Sequence, residues 1–339
     1  MRTCGVLLIN LGTPDSPSKK DVKRYLSEFL TDKRVIDIPW LFRQLLVRCK
    51  IIPSRYQTSA TTYSTIWTSV GSPLLVYGKK VQENLQKSLG NQFRVELSMR
   101  YQNPSIKKGL ENLRKEGIDN IIIFPLFPQY ASATTGSIHE KVMDVIKNWN
   151  VIPTLRFIQQ FATHPAYIDA ILATAKKYDI SSYDHVIFSY HGLPERQLKK
   201  ADLQNWCLRQ SNCCQKPCKE NQTCYAANCF ATTGELVKHL KLIPDQYTIS
   251  FQSRLGKEAW TRPNTSEIIE KLAALGKKKV LVFCPSFVCD CLETLYEIKI
   301  EYGELFKEKG GEKLDLVYGL NDHPEWIEAL RTIIFSQFF

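Results

Sequence analysis

Short apolar runs, each closed by glycine, proline or polar residues, recur along the whole chain. The first is VLLINL at residues 6–11, ended by Gly12-Thr13-Pro14. Runs of the same kind lie at 93–99, 121–126, 151–157, 185–190, 247–251, 279–284 and 314–320. Their length and flanking breakers predict buried strands. Between them, apolar residues spaced three and four apart predict helices at 21–31, 75–89, 105–116, 138–147, 165–178, 231–240, 265–275, 290–307 and 324–335. Strands alternating with helices predict an α/β chain with parallel sheets. The halves also echo each other: IIIFPLFP and VLVFCPSF both turn through a proline into a polar helix start. The pattern predicts two similar Rossmann-like lobes with a cleft between them. The first spans 1–150 and the second 151–322, with a helix at 323–339 that packs back on the first lobe. Residues 35–52 (VIDIPWLFRQLLVRCKII) are bounded as a separate unit by Pro39 and Pro53. They read either as a core helix or as an apolar flap rimmed by Arg43, Arg48 and Lys50.

Composition narrows the class. The 339 residues are 44% hydrophobic and 23% charged, which is ordinary for a globular protein. The net charge of +11 suits an anionic partner. The basic residues are scattered rather than striped among aromatics, so nucleic acid is not expected. No run reaches the ~20 apolar residues of a membrane span. The N-terminal run is too short for a signal peptide, so the expected location is cytoplasmic. Of the eleven cysteines, six crowd into residues 207–229, where a disulfide framework is not expected in that compartment.

Two places carry candidate chemistry. The strand at 185–190 stops at His191, followed by Gly192 and Pro194. Ligands bind at the carboxyl ends of strands in open α/β sheets, and a neutral imidazole there can ligate a metal or accept a proton. A hydrogen-bonded histidine capping the strand is the plain alternative. The second place is the helix at 290–307, where Asp290, Glu293, Glu297, Glu301 and Glu304 follow at intervals of 3, 4, 4 and 3. That spacing lines five carboxylates along one face. They suit a hydrated divalent cation moved along a path or a set of coupled proton carriers; a solvated acidic face is the alternative. His191 with Glu293 would hold a first-row metal loosely. The loop at 127–137, rich in Ser and Thr and opening a helix, suits an anion but lacks the motifs of a nucleotide site.

At these residues the chain resembles the ferrochelatase family, which inserts ferrous iron into a porphyrin to make haem. The resemblance rests on LINLGTPD, GSPL at 71–74, MRY at 99–101, FPQYASATTGS, FSYHGLPER, FQSRLGKEAWTRP and CPSFVCDCLETLYEI, in that order. It implies two lobes, each with a four-stranded parallel sheet flanked by helices. It makes His191 the acceptor of pyrrole protons or a holder of iron, Glu293 its carboxylate partner, and Glu297 and Glu301 the continuation of a relay. It gives porphyrin contact to Leu11, Tyr130, Arg100, Gln252, Ser253 and Trp260, and a lip to Trp40 and Leu41 that could also touch a membrane surface at its inner face. Porphyrin and Fe2+ are the implied partners, with protoporphyrin IX preferred. Coproporphyrin III and a non-catalytic porphyrin- or haem-binding role are the alternatives.

The insert at 200–229 departs from the family pattern. Six thiols in a short polar segment point to soft-metal ligation. Many ferrochelatases carry a [2Fe–2S] cluster on a C-terminal tail, whereas here no cysteine follows Cys291. An internal cluster is therefore expected, with zinc and free thiols as alternatives. Its candidate ligands are four of Cys207, Cys213, Cys214, Cys218 and Cys224, with Cys207, Cys214, Cys218 and Cys224 preferred. Cys229 is set aside because cluster-free relatives have a cysteine there.

Overall fold

The computed structural model describes residues 3–210, 212–254, 256 and 258–338. It divides into two compact units. The first comprises Met1–Phe127, Ala131–Gln159 and Leu330–Phe339; the second comprises Pro128–Tyr130 and Gln160–Ala329.

In the first unit, β1 (Cys4–Gly12), β2 (Phe93–Tyr101), β3 (Asn120–Pro125) and β4 (Thr154–Phe157) form a parallel sheet in the order β2-β1-β3-β4. Val6, Leu7, Leu8 and Ile9 of the central strand are wholly buried. Both faces of a parallel sheet are covered by helices, so the strand reads as one apolar run. Each such side chain contributes about 1.5–3 kcal/mol by leaving water. The helices are α1 (Lys19–Leu30), α2 (Trp40–Leu45), α3 (Ile52–Ile66), α4 (Pro73–Leu89), α5 (Ile106–Lys115) and α6 (Ser137–Ile146).

The second unit repeats the plan. Its strands β5 (His185–His191), β6 (Tyr247–Gln252), β7 (Lys279–Phe283) and β8 (Lys313–Leu316) pair in parallel in the order β6-β5-β7-β8. Its helices are α7 (Pro165–Ala175), α8 (Glu195–Ala201), α9 (Tyr225–Leu240), α10 (Thr265–Ala274) and α11 (Gly303–Glu308). The last helix, α12 (Pro324–Phe335), begins in this unit and ends in the first, where Phe335 and Phe338 pack edge-on against Phe93. The repeat extends to detail. After β2 and after β6 alike, a residue in left-handed conformation (Gln102, Ser253) is followed by a cis-proline (Pro104, Pro263). The backbone N–H of Met99 or Phe251 then donates to that proline's carbonyl, and Ser105 or Asn264 caps the next helix.

Four features depart from the sequence expectation. Pro53 does not end the segment at 35–52: the chain stays helical from Trp40 to Ile66. Residues Leu46–Ile51 form a π-helix in which Ile52 N–H donates to Val47 O, so Pro53 opens the next segment, where its missing donor is not needed. The following run of Ser and Thr is helical too. Thr61, Thr62, Ser64 and Thr65 turn their hydroxyls back onto carbonyls three or four residues earlier, which satisfies them within the helix. Arg43 is no rim residue, because it is buried and donates to the carbonyls of Ile36 and Ile38. Asp290 stands before the acidic row rather than in it. It is buried and accepts from Thr294, Gly319 N–H and Asn321, and burial pushes its carboxyl up despite those bonds.

Candidate active site

The carboxyl edge of the second sheet sets His191 and Gln252 side by side, as register partners at the ends of β5 and β6. The His191 peptide is gripped on both sides: its N–H donates to Ser286 Oγ (3.2 Å) and its carbonyl accepts from the Tyr225 hydroxyl (2.8 Å). The ring is half-buried, and Nδ1 lies 2.7 Å from Gly192 O. A carbonyl can only accept, so we assign the proton to Nδ1; this leaves the lone pair on Nε2, which has no partner among the described residues. Gly192 is required here. Its N–H donates to Gln252 O, and a Cβ would meet that oxygen at 2.8 Å and Trp260 Cε3 at 3.2 Å. Trp260 therefore packs against the turn that follows His191.

Glu297 is the most heavily held carboxylate nearby. One oxygen accepts from Ser253 N–H (2.7 Å) and the Tyr302 hydroxyl (3.0 Å). The other accepts from Gln252 Nε2 (3.0 Å) and Ser253 Oγ (2.5 Å). Ser253 can offer both donors because its φ is +65°, a conformation costly for a non-glycine residue and frequent at functional sites. Gln252 is fully buried and itself fixed: Oε1 accepts from Ser189 Oγ, and Nε2 also donates to Glu293 O. In this conformation Gln252 presents no atom to solvent, and it orients Glu297.

The acidic row lies on a ten-residue π-helix, Glu293–Tyr302, continued by α11. π turns are rare and concentrate at functional sites. Its buried side, Ile298 and Tyr302, joins the core around Phe306 and Leu316. Glu293 and Glu297 are half-buried, while Glu301 and Glu304 are exposed. The row thus passes from the sheet edge to solvent. Partial burial, then the charges of Glu297 and Glu304, raise the Glu301 carboxyl.

The remaining sequence candidates fall in separate places. Tyr130 is half-buried in the second unit. Arg100, in the first unit, pairs with Asp32 at 2.6 Å and donates to Ser137. Leu11, also in the first unit, is half-buried at the end of β1. Trp40 and Leu41 on α2 are 66% and 56% exposed, and Phe42 and Leu45 beside them are as open, so this face is no core helix. Sequence reasoning missed Tyr225, Ser286 and Tyr302. The serine in CPSF after β7 was the one local signal, since a polar residue there meets the neighbouring strand end.

The insert draws four thiols together. Cys213 and Cys214 Sγ atoms are 3.6 Å apart, and Cys207 and Cys214 both donate to Cys224. Cys224 caps α9, and those two bonds, aided by Ala226 and Ala227 N–H, pull its thiol well below the usual range. Cys218 stands apart from this contact set, its N–H held by Asn221. Of the thiols the sequence offers, Cys207, Cys213, Cys214 and Cys224 thus lie together and Cys218 lies apart, because local spacing does not show which thiols the loop folds together. Among the described residues, no three His, Cys, Asp or Glu side chains stand in ligating arrangement.

A sequence profile described as ferrochelatase matches residues 3–338. The chain belongs to the ferrochelatase family. It is 46% identical over 334 residues to the ferrochelatase of Legionella pneumophila strain Lens, covering 98% of this chain and 99% of that one. It is 43% identical over 328 residues to the ferrochelatase of Coxiella burnetii strain Dugway 5J108-111, covering 96% and 91%. Among solved structures, SirB from Bacillus subtilis with Fe3+ shares the fold, with a TM-score of 0.54 at 12% identity over 98% of this chain and 95% of that one. As a ferrochelatase-family chain it is a metal chelatase, with ferrous iron and a porphyrin as its substrates. No helix among the described residues is long and apolar enough to cross a membrane.

Proposed function

We propose that the chain inserts ferrous iron into protoporphyrin IX to form protohaem. The observation that carries this reading is the sheet edge itself. An imidazole whose Nε2 has no partner among the described residues stands beside the residues that lock Glu297, at the inner end of a carboxylate row that reaches solvent. Metal insertion removes two pyrrole protons and needs the ring buckled so that its nitrogen lone pairs face the metal. His191 Nε2 accepts a proton; Glu293, Glu297 and Glu301 carry protons outward or iron inward. Binding energy from the rest of the macrocycle drives the distortion. Trp260 and Tyr130 supply aromatic surface for the ring, and the exposed Trp40 and Leu41 offer apolar contact to porphyrin or to the inner face of a membrane from the cytoplasmic side.

The chemistry of the insert fits a [2Fe–2S] cluster on Cys207, Cys213, Cys214 and Cys224. The support is the nearness of these four thiols to one another, with Cys224 at a helix N-terminus that favours thiolate. When bound, such a group would supply one-electron chemistry or a structural clasp.

The test is anaerobic Fe(II) with protoporphyrin IX or coproporphyrin III, followed by haem absorbance. Wild type is expected to prefer protoporphyrin, and His191→Ala to lose on the order of 10²–10⁴ in kcat, as for a lost acid–base group. Wild-type turnover no faster than the uncatalysed reaction would refute the proposal. A preference for coproporphyrin would move the substrate to the alternative.

A further inference from the structure

The backbone of His191 is held more tightly than a strand end requires. Beyond the last sheet bond, its N–H and carbonyl are taken by two side chains distant in sequence, Ser286 after β7 and Tyr225 at the start of α9. The two hydroxyls also meet each other, and the Tyr225 hydroxyl contacts the Cys229 thiol. Tyr225 is buried, with 6% of its surface exposed. A carbonyl can only accept, so the Tyr225 hydroxyl is the donor in its bond to His191 O. Cys224, the residue before it, caps the same helix.

We propose that Tyr225 and Ser286 form a clamp that positions His191 for iron insertion, a reading that rests on His191 as the proton-accepting group. The reasoning is geometric. Among the described residues the imidazole bonds only to Gly192 O, one residue away, with the Phe287 ring 6.3 Å from it, so the ring orientation follows the local peptide. Gly192 N–H ties one side of the following peptide to Gln252 O, and Ser286 and Tyr225 supply the remaining holds; a backbone released from them tilts and carries Nδ1 and Nε2 with it. Holding both ends of the His191 peptide fixes where Nε2 points, and displacements of about 1 Å matter greatly to proton transfer. Neither hydroxyl is assigned to touch substrate; both act through His191.

The test compares four variants by kcat, porphyrin KM and thermal midpoint. Tyr225→Phe removes the hydroxyl and keeps the ring. It is expected to lower kcat about five- to tenfold, the scale of one buried hydrogen bond, with porphyrin KM unchanged. Ser286→Ala is expected to do the same, and the double variant to lose less than the product, since both act on one peptide. Tyr178→Phe is the control. The Tyr178 hydroxyl donates to Leu316 O at 2.8 Å on β8, a strand that does not pair with the His191 strand. It should lose a similar thermal midpoint and keep kcat. Equal loss of kcat in Tyr178→Phe and Tyr225→Phe, or unchanged kcat in Tyr225→Phe, would overturn the clamp. His191→Ala run in parallel separates the two readings: if it is inactive while Tyr225→Phe is normal, only the clamp fails; if it retains wild-type kcat, both fail.

Discussion

Glu297→Gln is nearly isosteric and would ordinarily be expected to preserve stability. The donors around Glu297 argue otherwise. One carboxylate oxygen faces Ser253 N–H and the Tyr302 hydroxyl; the other faces Gln252 Nε2 and Ser253 Oγ. The two hydroxyls can rotate and become acceptors. Ser253 N–H cannot, and Gln252 cannot flip without setting its carbonyl oxygen against Glu293 O, a fixed acceptor. Either orientation of the new amide therefore sets its NH2 against one fixed N–H donor. An unsatisfied or opposed donor in a half-buried site costs roughly 1–3 kcal/mol. Relief of repulsion from Glu301, four residues on, returns only a few tenths of a kcal/mol. At about 2–4 °C per kcal/mol for a unit of this size, the thermal midpoint should fall by about 5 °C. Scanning calorimetry of wild type and variant at pH 7 measures it. A variant within about 1 °C of wild type would show that the four bonds are not mutually locked, and the account of Gln252 as the residue that orients Glu297 would fall with it.

Other outcomes follow from the same geometry. Burial lowers His139 to about 4 in the first unit, where its ring packs on Phe157 at 4.5 Å. The folded state binds this proton less readily than the unfolded chain, so the associated stability is whole above about pH 6.5 and is lost as pH falls toward 4. Discounted for partial exposure this is about 1–3 kcal/mol; His139→Phe should flatten the fall in thermal midpoint between pH 7 and 5, and an unchanged slope would refute the assignment. Replacing Trp40 and Leu41 together by serine should leave the thermal midpoint within about 1 °C, since both are exposed. It should weaken porphyrin binding or sedimentation with anionic vesicles, and unchanged binding in both assays would remove the lip. Serine at Cys207 or Cys213 should bleach visible absorbance and iron content of freshly purified protein, while serine at Cys218 should leave both. A colourless wild type, free of iron, would sink the cluster.

The eight strands and their alternation with helices were legible because burial on both faces of a parallel sheet imposes continuous apolar runs. His191 was legible because a strand must stop where the glycine and proline behind it forbid pairing. The acidic row was legible from its spacing, though a helical wheel wrongly included Asp290, which the fold buries among Thr294, Gly319 and Asn321. The continuation past Pro53 was not legible, because the change to π register that absorbs a proline depends on the helix finding packing for Val47 and Ile52 beside Leu30.

What the sequence determined alone, then, is the local: which segments are strands, where they end, and which chemistry-bearing residues stand at those ends. Apolar periodicity and breaker residues act over a few positions, so they can be read in order. Tertiary structure decided the partnerships. That Gln252 and Ser253 serve Glu297, that Cys213 joins Cys207, Cys214 and Cys224, and that Tyr225 and Ser286 grip His191 all depend on groups up to 95 residues apart meeting at one sheet edge or in one loop. Hydrogen bonds are short and directional, and only the packed chain brings their two ends within reach.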